Sequence, residues 1–170
     1  INWQDSRCET AWLQALYEQT GYRLHSGYGA ATAACQAQRG QIPPQAKGLG
    51  TIGDLLVMRL TGRGRLLIDC TNAASVGFYH QRQANWDYTA WQKAGIHSSL
   101  LPEVTAMGAA AGQLTRQAAA SLGLPQGIAV AAAVGDQQAS LLATLTNPAE
   151  EIAVTLGTGG QVAAEQAFAH

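Results

Sequence analysis

Apolar positions along the chain fall first into helical spacing. From Glu9 to Glu18, Trp12, Leu13, Leu16 and Tyr17 lie on one side of a helix that stops near Gly21. Ahead of it, Ile1 to Arg7 reads as a short extended stretch in which Trp3, Asp5 and Arg7 alternate onto one face of a strand. Gly21 to Gly29 is loop-like and contains His25 and Tyr28, and Ala30 to Gln38 is an Ala-rich helix. Gly40 to Gly50, with Pro43-Pro44, reads as a linking loop. Thr51 to Thr61 is helical, with Ile52, Leu55, Leu56 and Leu60 as the expected buried stripe and Gly62 and Gly64 as its end. Arg65 to Ile68 is a short strand, Asp69 to Ser75 a polar loop, and Gly77 to Asp87 an aromatic patch that packs a helix on the sheet through Phe78, Tyr79 and Trp86. Tyr88 to Ala94 is a short helix, Leu100 to Val104 leads back toward the sheet, and Thr115 to Ser121 is a further helix. The apolar run from Gly127 to Val134 is long enough for one buried strand and ends at Gly135-Asp136-Gln137-Gln138. Ala139 to Leu145 then reads as a helix, and a last apolar run, Glu151 to Leu156, closes in Gly157-Thr158-Gly159-Gly160. Strands that hand over to helices in this way predict an α/β fold.

Two of these stretches carry candidate chemistry. Asp136 stands where a strand passes into a helix, the place where open α/β sheets commonly build the floor of a site. A carboxylate there can take a proton from a hydroxyl. It can equally be a helix N-cap, since Asp is a preferred cap. The Gly157-Thr158-Gly159-Gly160 turn can bring backbone N–H groups and one hydroxyl up to a phosphate, or it can simply join two strands of a hairpin. A base and a phosphate turn together are what phosphorylation of a hydroxyl requires. At the start of the chain, Trp3 can lay its ring against the carbon side of a sugar, while Asp5 and Arg7 bind hydroxyls or each other. The alternative is a core Trp beside a structural ion pair. His25 has no second His or Cys at metal spacing.

Composition narrows the classes. The net charge is −1 and only 12% of residues are charged, about half of the roughly 25% typical of soluble proteins, so much of the surface is expected to be covered by more protein. No basic run suits nucleic acid, and no apolar run reaches the length needed to span a membrane. Cys8, Cys35 and Cys70 form no metal spacing, so no metal site is expected. An odd cysteine count with no visible signal peptide points to reduced thiols in the cytoplasm. The start at a residue other than Met, at a Trp motif, and the end just past the Gly-Thr-Gly turn lead to the expectation of an excised segment of a longer enzyme.

Gly135-Asp136-Gln137-Gln138-Ala139 followed by Gly157-Thr158-Gly159 resembles the signature of the FGGY carbohydrate kinases, which phosphorylate glycerol, pentuloses, heptuloses and related polyols. Within that family, Trp3-Gln4-Asp5-Ser6-Arg7-Cys8, then Asp69-Cys70-Thr71-Asn72-Ala73-Ala74-Ser75, then Leu100-Leu101-Pro102-Glu103-Val104 most resemble the sedoheptulokinases. Family members commonly have Ser or Ala after Gly-Thr, where this chain has Gly159-Gly160; glycerol-type members also have Gly-Thr-Gly.

The resemblance implies two actin-like (ribonuclease H-like) domains around a cleft, of which residues 1–147 would be the latter part of the first, substrate-binding domain and 148–170 the beginning of the second, ATP-binding one. It implies Asp136 as general base, Trp3, Asp5, Arg7 and Gln137 on the sugar, and Gly157, Thr158 and Gly159 on the transferred phosphoryl group. Asp54 and the Asp69 to Ser75 stretch are expected to be structural. The implied partners are a ketose, ATP with Mg²⁺ bound largely outside this segment, and the remainder of the kinase chain, with a second copy as a candidate for a homodimer. The segment alone is expected to be inactive. The competing readings are an actin-like ATPase such as a chaperone, a non-catalytic sugar-binding regulator, and, among substrates, xylulose or glycerol.

Overall fold

In the computed structural model, residues 4–157 and 160–164 are described. The chain divides into two compact units, 1–133 and 134–170.

In the first unit, each helix begins and ends where local chemistry dictates. Helix α1 (Thr10–Thr20) ends at Gly21, whose left-handed backbone (φ 79°) turns its N–H back onto the Tyr17 carbonyl. Helix α2 (Gly29–Gln38) buries Ala30, Ala31, Thr32, Ala33, Ala34 and Cys35 on almost every side. Small side chains permit this, and a Cβ at Gly29 would already lie 3.3 Å from Val76 Cγ1. Helix α3 (Ile52–Thr61) starts at a full capping box: Thr51 Oγ1 accepts the Asp54 N–H, and Asp54 Oδ2 accepts the Thr51 N–H. Strand β1 (Leu67–Asp69) is wholly buried and runs into α4 (Cys70–Val76), capped by Asp69. A hairpin, β2 (Tyr79–His80) and β3 (Asn85–Trp86), leads to α5 (Tyr88–Lys93), which Asp87 caps. Strand β4 (Glu103–Thr105) lies parallel to β1. Strand β5 (Ala110–Gln113), helix α6 (Arg116–Leu122) and strand β6 (Ala129–Ala131) follow, with β5 and β6 antiparallel around an irregularity between Ala110 and Gly112.

The core of this unit is aromatic. Phe78 meets Trp91 edge-on at 5.2 Å, Trp91 meets Trp86 at 5.7 Å, and Tyr22 meets Phe78 at 5.4 Å, a preferred arrangement of ring quadrupoles. The Trp86 indole N–H donates to the Pro102 carbonyl at 2.9 Å. The aromatic patch thus packs α5 against the β2–β3 hairpin.

Three sequence expectations are corrected here. Most of the stripe expected to be buried on α3 faces outward: Ile52 is 83% exposed and Leu56 58%, with Leu55 also exposed and Leu60 half-buried, while Asp54 and Val57 are buried. The helix lies on β1, β5 and β6 through Gly53, Val57 and Thr61, and small side chains let it approach closely. Asp69 to Ser75 is not a loop, because the Asp69 carboxylate starts a helix there by accepting the Asn72 N–H at 2.9 Å. Residues 4–7 form no strand; Asp5 and Arg7 close a local turn instead. Trp3, the third member of that alternating set, lies outside the described residues.

The second unit comprises α7 (Asp136–Thr144) and an antiparallel hairpin of β7 (Ile152–Leu156) and β8 (Gly160–Ala164), in register from Ile152↔Ala164 to Leu156↔Gly160. Among the described residues, no helix is long and apolar enough to cross a membrane.

Candidate active site

Strand β6 ends at Ala131, and four residues of open chain lead to α7. The junction expected at Asp136 therefore exists, although the strand is shorter than the apolar run suggested and is not buried: Ala129 and Ala131 are exposed and Val130 is half-buried. Gly135, not Asp136, occupies the N-cap position, and its carbonyl accepts the Ala139 N–H at 2.9 Å. Asp136 is the first residue of the helix proper, exposed, with Oδ1 accepting the Gln137 N–H at 2.7 Å. An acidic first turn suits the positive end of the helix dipole. Gln137, beside it, is half-buried.

Asp5 and Arg7 are brought together. Arg7 Nε donates to both carboxylate oxygens at 2.9 Å, Nη2 lies 2.7 Å from Oδ2, and the Arg7 N–H donates to Oδ1 at 3.0 Å. The Arg7 side-chain hydrogen bond holds the Asp5 carboxyl below the usual carboxylate range, and Asp5 in turn raises the Arg7 guanidinium. Of the two chemical uses open to this pair, binding each other is the one realised, and the guanidinium remains exposed.

Gly157 follows β7 and is exposed. Strands β7 and β8 pair as an antiparallel hairpin; Thr158 and Gly159, between them in sequence, lie outside the described residues. Asp5 and Arg7 belong to the first unit, and Asp136, Gln137 and Gly157 to the second.

A groove of about 540 Å³ in the first unit is lined by Ala33, Pro43, Leu49, Thr51, Asn72 and Ser75 among others. None of the described residues expected at the site lines it. Sequence reasoning also passed over the surroundings of Asn72. Its side-chain N–H donates to the Ala133 carbonyl at 2.8 Å, across sixty-one positions of sequence. The signal for it lay in Asp69-Cys70-Thr71-Asn72, where an Asp cap fixes the first turn of a helix. Two buried groups are perturbed by their surroundings rather than by chemistry: burial raises the Cys8 thiol, with Cys35 adding to it, and burial raises the Asp54 carboxyl despite its hydrogen bonds to Thr51. Among the described residues, no three His, Cys, Asp or Glu side chains gather to hold a metal.

Comparison with known proteins gives the family. Residues 1–143 match the N-terminal domain of the FGGY family of carbohydrate kinases. The chain is 30% identical over 166 residues to the sedoheptulokinase of Mus musculus, covering 96% of this chain and 34% of that protein. It is also 30% identical over 177 residues to a glycerol kinase of Trichlorobacter lovleyi, covering 94% and 34%. Among solved structures, a xyloylose kinase from Brucella ovis superposes with a TM-score of 0.79 at 25% identity, over 95% of this chain and 34% of that one. A ligand-bound xylulose kinase from Lactobacillus acidophilus gives 0.80 at 20% identity, over 95% and 34%, a likeness of fold. The chain belongs to the FGGY family of carbohydrate kinases. It spans about a third of the length of these relatives.

Proposed function

We propose that this chain supplies the sugar-facing wall and general base of an ATP-dependent kinase that phosphorylates a primary hydroxyl of a ketose, sedoheptulose-like in class. Xylulose and glycerol are the rival acceptors. The observation that carries the proposal is the setting of Asp136: exposed, at the head of the helix that follows β6, and inside the stretch matching the family.

A primary alcohol is far too weak an acid to ionise near neutral pH, so the hydroxyl must lie in line with the γ-phosphate and lose its proton late in transfer. Asp136 is the proposed acceptor of that proton. Gln137, Trp3, Asp5 and Arg7 are proposed to hold the sugar, Arg7 through the exposed part of its guanidinium. Gly157, Thr158 and Gly159 are proposed to donate hydrogen bonds to the transferring phosphoryl group, where charge stabilisation and alignment provide most of the catalysis. Closure of two domains, divided near 147/148, would exclude water as a competing acceptor. Mg²⁺ is proposed as the companion of ATP, bound largely by parts of the kinase outside this chain. The expected setting is the cytoplasm.

In the full-length gene product, Asp136→Asn should lower turnover by at least ~100-fold, the lower part of what a general base contributes, while direct titration shows sugar binding largely intact. Near-normal turnover would remove Asp136 from the role. The 170-residue chain on its own should make no sugar phosphate, and measurable product from the pure chain would refute the division of labour proposed here. A ketose panel with ATP selects the acceptor, and sizing of the same sample tests the homodimer. ATP hydrolysis without any sugar would instead favour a chaperone-like ATPase. Saturable sugar binding with no transfer would favour a regulator.

A further inference from the structure

Ala133 is the last residue of the first unit and stands three positions before Asp136. It is gripped from two sides. On one, Asn72 donates its side-chain N–H to the Ala133 carbonyl at 2.8 Å; a carbonyl can only accept, so the amide nitrogen must face it. Asn72 is itself held at the head of α4, where its backbone N–H donates to the fully buried Asp69. The Thr71 hydroxyl donates to the same carboxylate at 2.8 Å. On the other side, α3 comes so near that a Cβ at Gly53 would sit 2.8 Å from the Ala133 Cβ, closer than real Cβ atoms approach. Glycine costs a helix up to about 1 kcal/mol relative to Ala, so this close approach gives Gly53 its reason. The neighbouring Ala132 is buried, and its N–H donates to the Ala109 carbonyl at 2.9 Å.

We propose that Asn72 and Gly53 are positioning residues that fix the Ala133 backbone as the point from which the chain sets out to Asp136, an inference that rests on Asp136 being the base. A base must lie within hydrogen-bond reach of the hydroxyl in the reacting complex. A displacement of about 1 Å far from the chemistry can cost on the order of 100-fold in rate. Asn72 and Gly53 act on the backbone rather than on substrate, so their loss should appear in kcat and leave ground-state binding alone.

The test uses the full-length enzyme and three variants. Asn72→Asp keeps the shape but cannot donate to the Ala133 carbonyl. Gly53→Ala removes no hydrogen bond and puts a Cβ against the Ala133 Cβ. Asp136→Asn reports on the base itself. Each of the first two should lower kcat about tenfold or more, with the KM values for sugar and ATP within about twofold of wild type. Added to Asp136→Asn, neither should lower the residual rate further. Unchanged kcat in folded Asn72→Asp and Gly53→Ala, beside a dead Asp136→Asn, would overturn the positioning role and leave the base standing. Further loss in the Asp136→Asn background would overturn it too, by showing that the two residues act elsewhere. An active Asp136→Asn would sink the base assignment, and the inference with it. Should Asn72→Asp fail to fold, Gly53→Ala decides alone, because it removes no hydrogen bond.

Discussion

The two units solve opposite problems. Residues 1–133 bury Trp91, Phe78, Ile68 and Ile96 at 2% exposure or less and enclose them between helices and hairpins. In the second unit, among the described residues, only Gly135 is buried. Its hairpin alternates in the manner of a half-buried sheet, yet Leu156 is 85% and Val162 74% exposed, with Ile152 and Val154 similarly open. Ile152, Val154 and Leu156 share one face by the two-residue period of a strand, and Val162 is paired with Val154 on the same face. A two-stranded hairpin is marginal in water without a layer on its apolar face. The first unit thus has an enclosed apolar core of its own, and the second, taken by itself, has none among its described residues. The proposal that 148–170 opens a second domain accounts for this.

The contrast can be broken by mutation. Trp91→Ala should destabilise the chain by about 3–5 kcal/mol, the usual cost of deleting a buried aromatic side chain. Val154→Ala should change stability by less than about 0.5 kcal/mol, as exposed substitutions do. Urea unfolding followed by tryptophan fluorescence measures both, and comparable losses would show that the hairpin is integrated into the core after all.

A smaller effect concerns Asp54. Its carboxyl is raised by burial, so the folded state holds a proton more tightly than the unfolded chain does. The sign follows: this contribution to stability is fully present below the unfolded carboxylate value and is lost as pH rises through the folded one. Asp54→Asn can still accept the Thr51 N–H and has no charge to bury. Its unfolding free energy should fall less than that of wild type as pH climbs from ~3.8 toward neutrality, the range that begins at the usual Asp value. Parallel curves for the two proteins would mean that Asp54 is charged in the fold at little cost.

The strand-to-helix setting of Asp136 was legible because its signals are local. Gly135-Asp136-Gln137-Gln138 between an apolar run and a helix places the carboxylate at a junction without any tertiary knowledge, and α7 begins there. The pairing of Asp5 with Arg7 was one of two uses visible in their spacing. The clamp on Ala133 was not legible, because its partners lie sixty-one and eighty positions away in sequence and one of them contributes only the absence of a side chain.

What the sequence determined by itself was most of the helices with their local caps and stops, and the family. These depend on groups within a few residues of one another: Thr51 with Asp54, Gly21 with Tyr17, Asp87 with Ala90. Only the tertiary structure decided which face of α3 turns inward. Apolar periodicity favoured Ile52, Leu55, Leu56 and Leu60, of which Leu60 alone is half-buried, but close packing on β1, β5 and β6 required the small Gly53 and the flanking Val57 and Thr61. A hydrophobic pattern records which side chains could gain from burial, whereas the space left by neighbouring strands settles which ones fit.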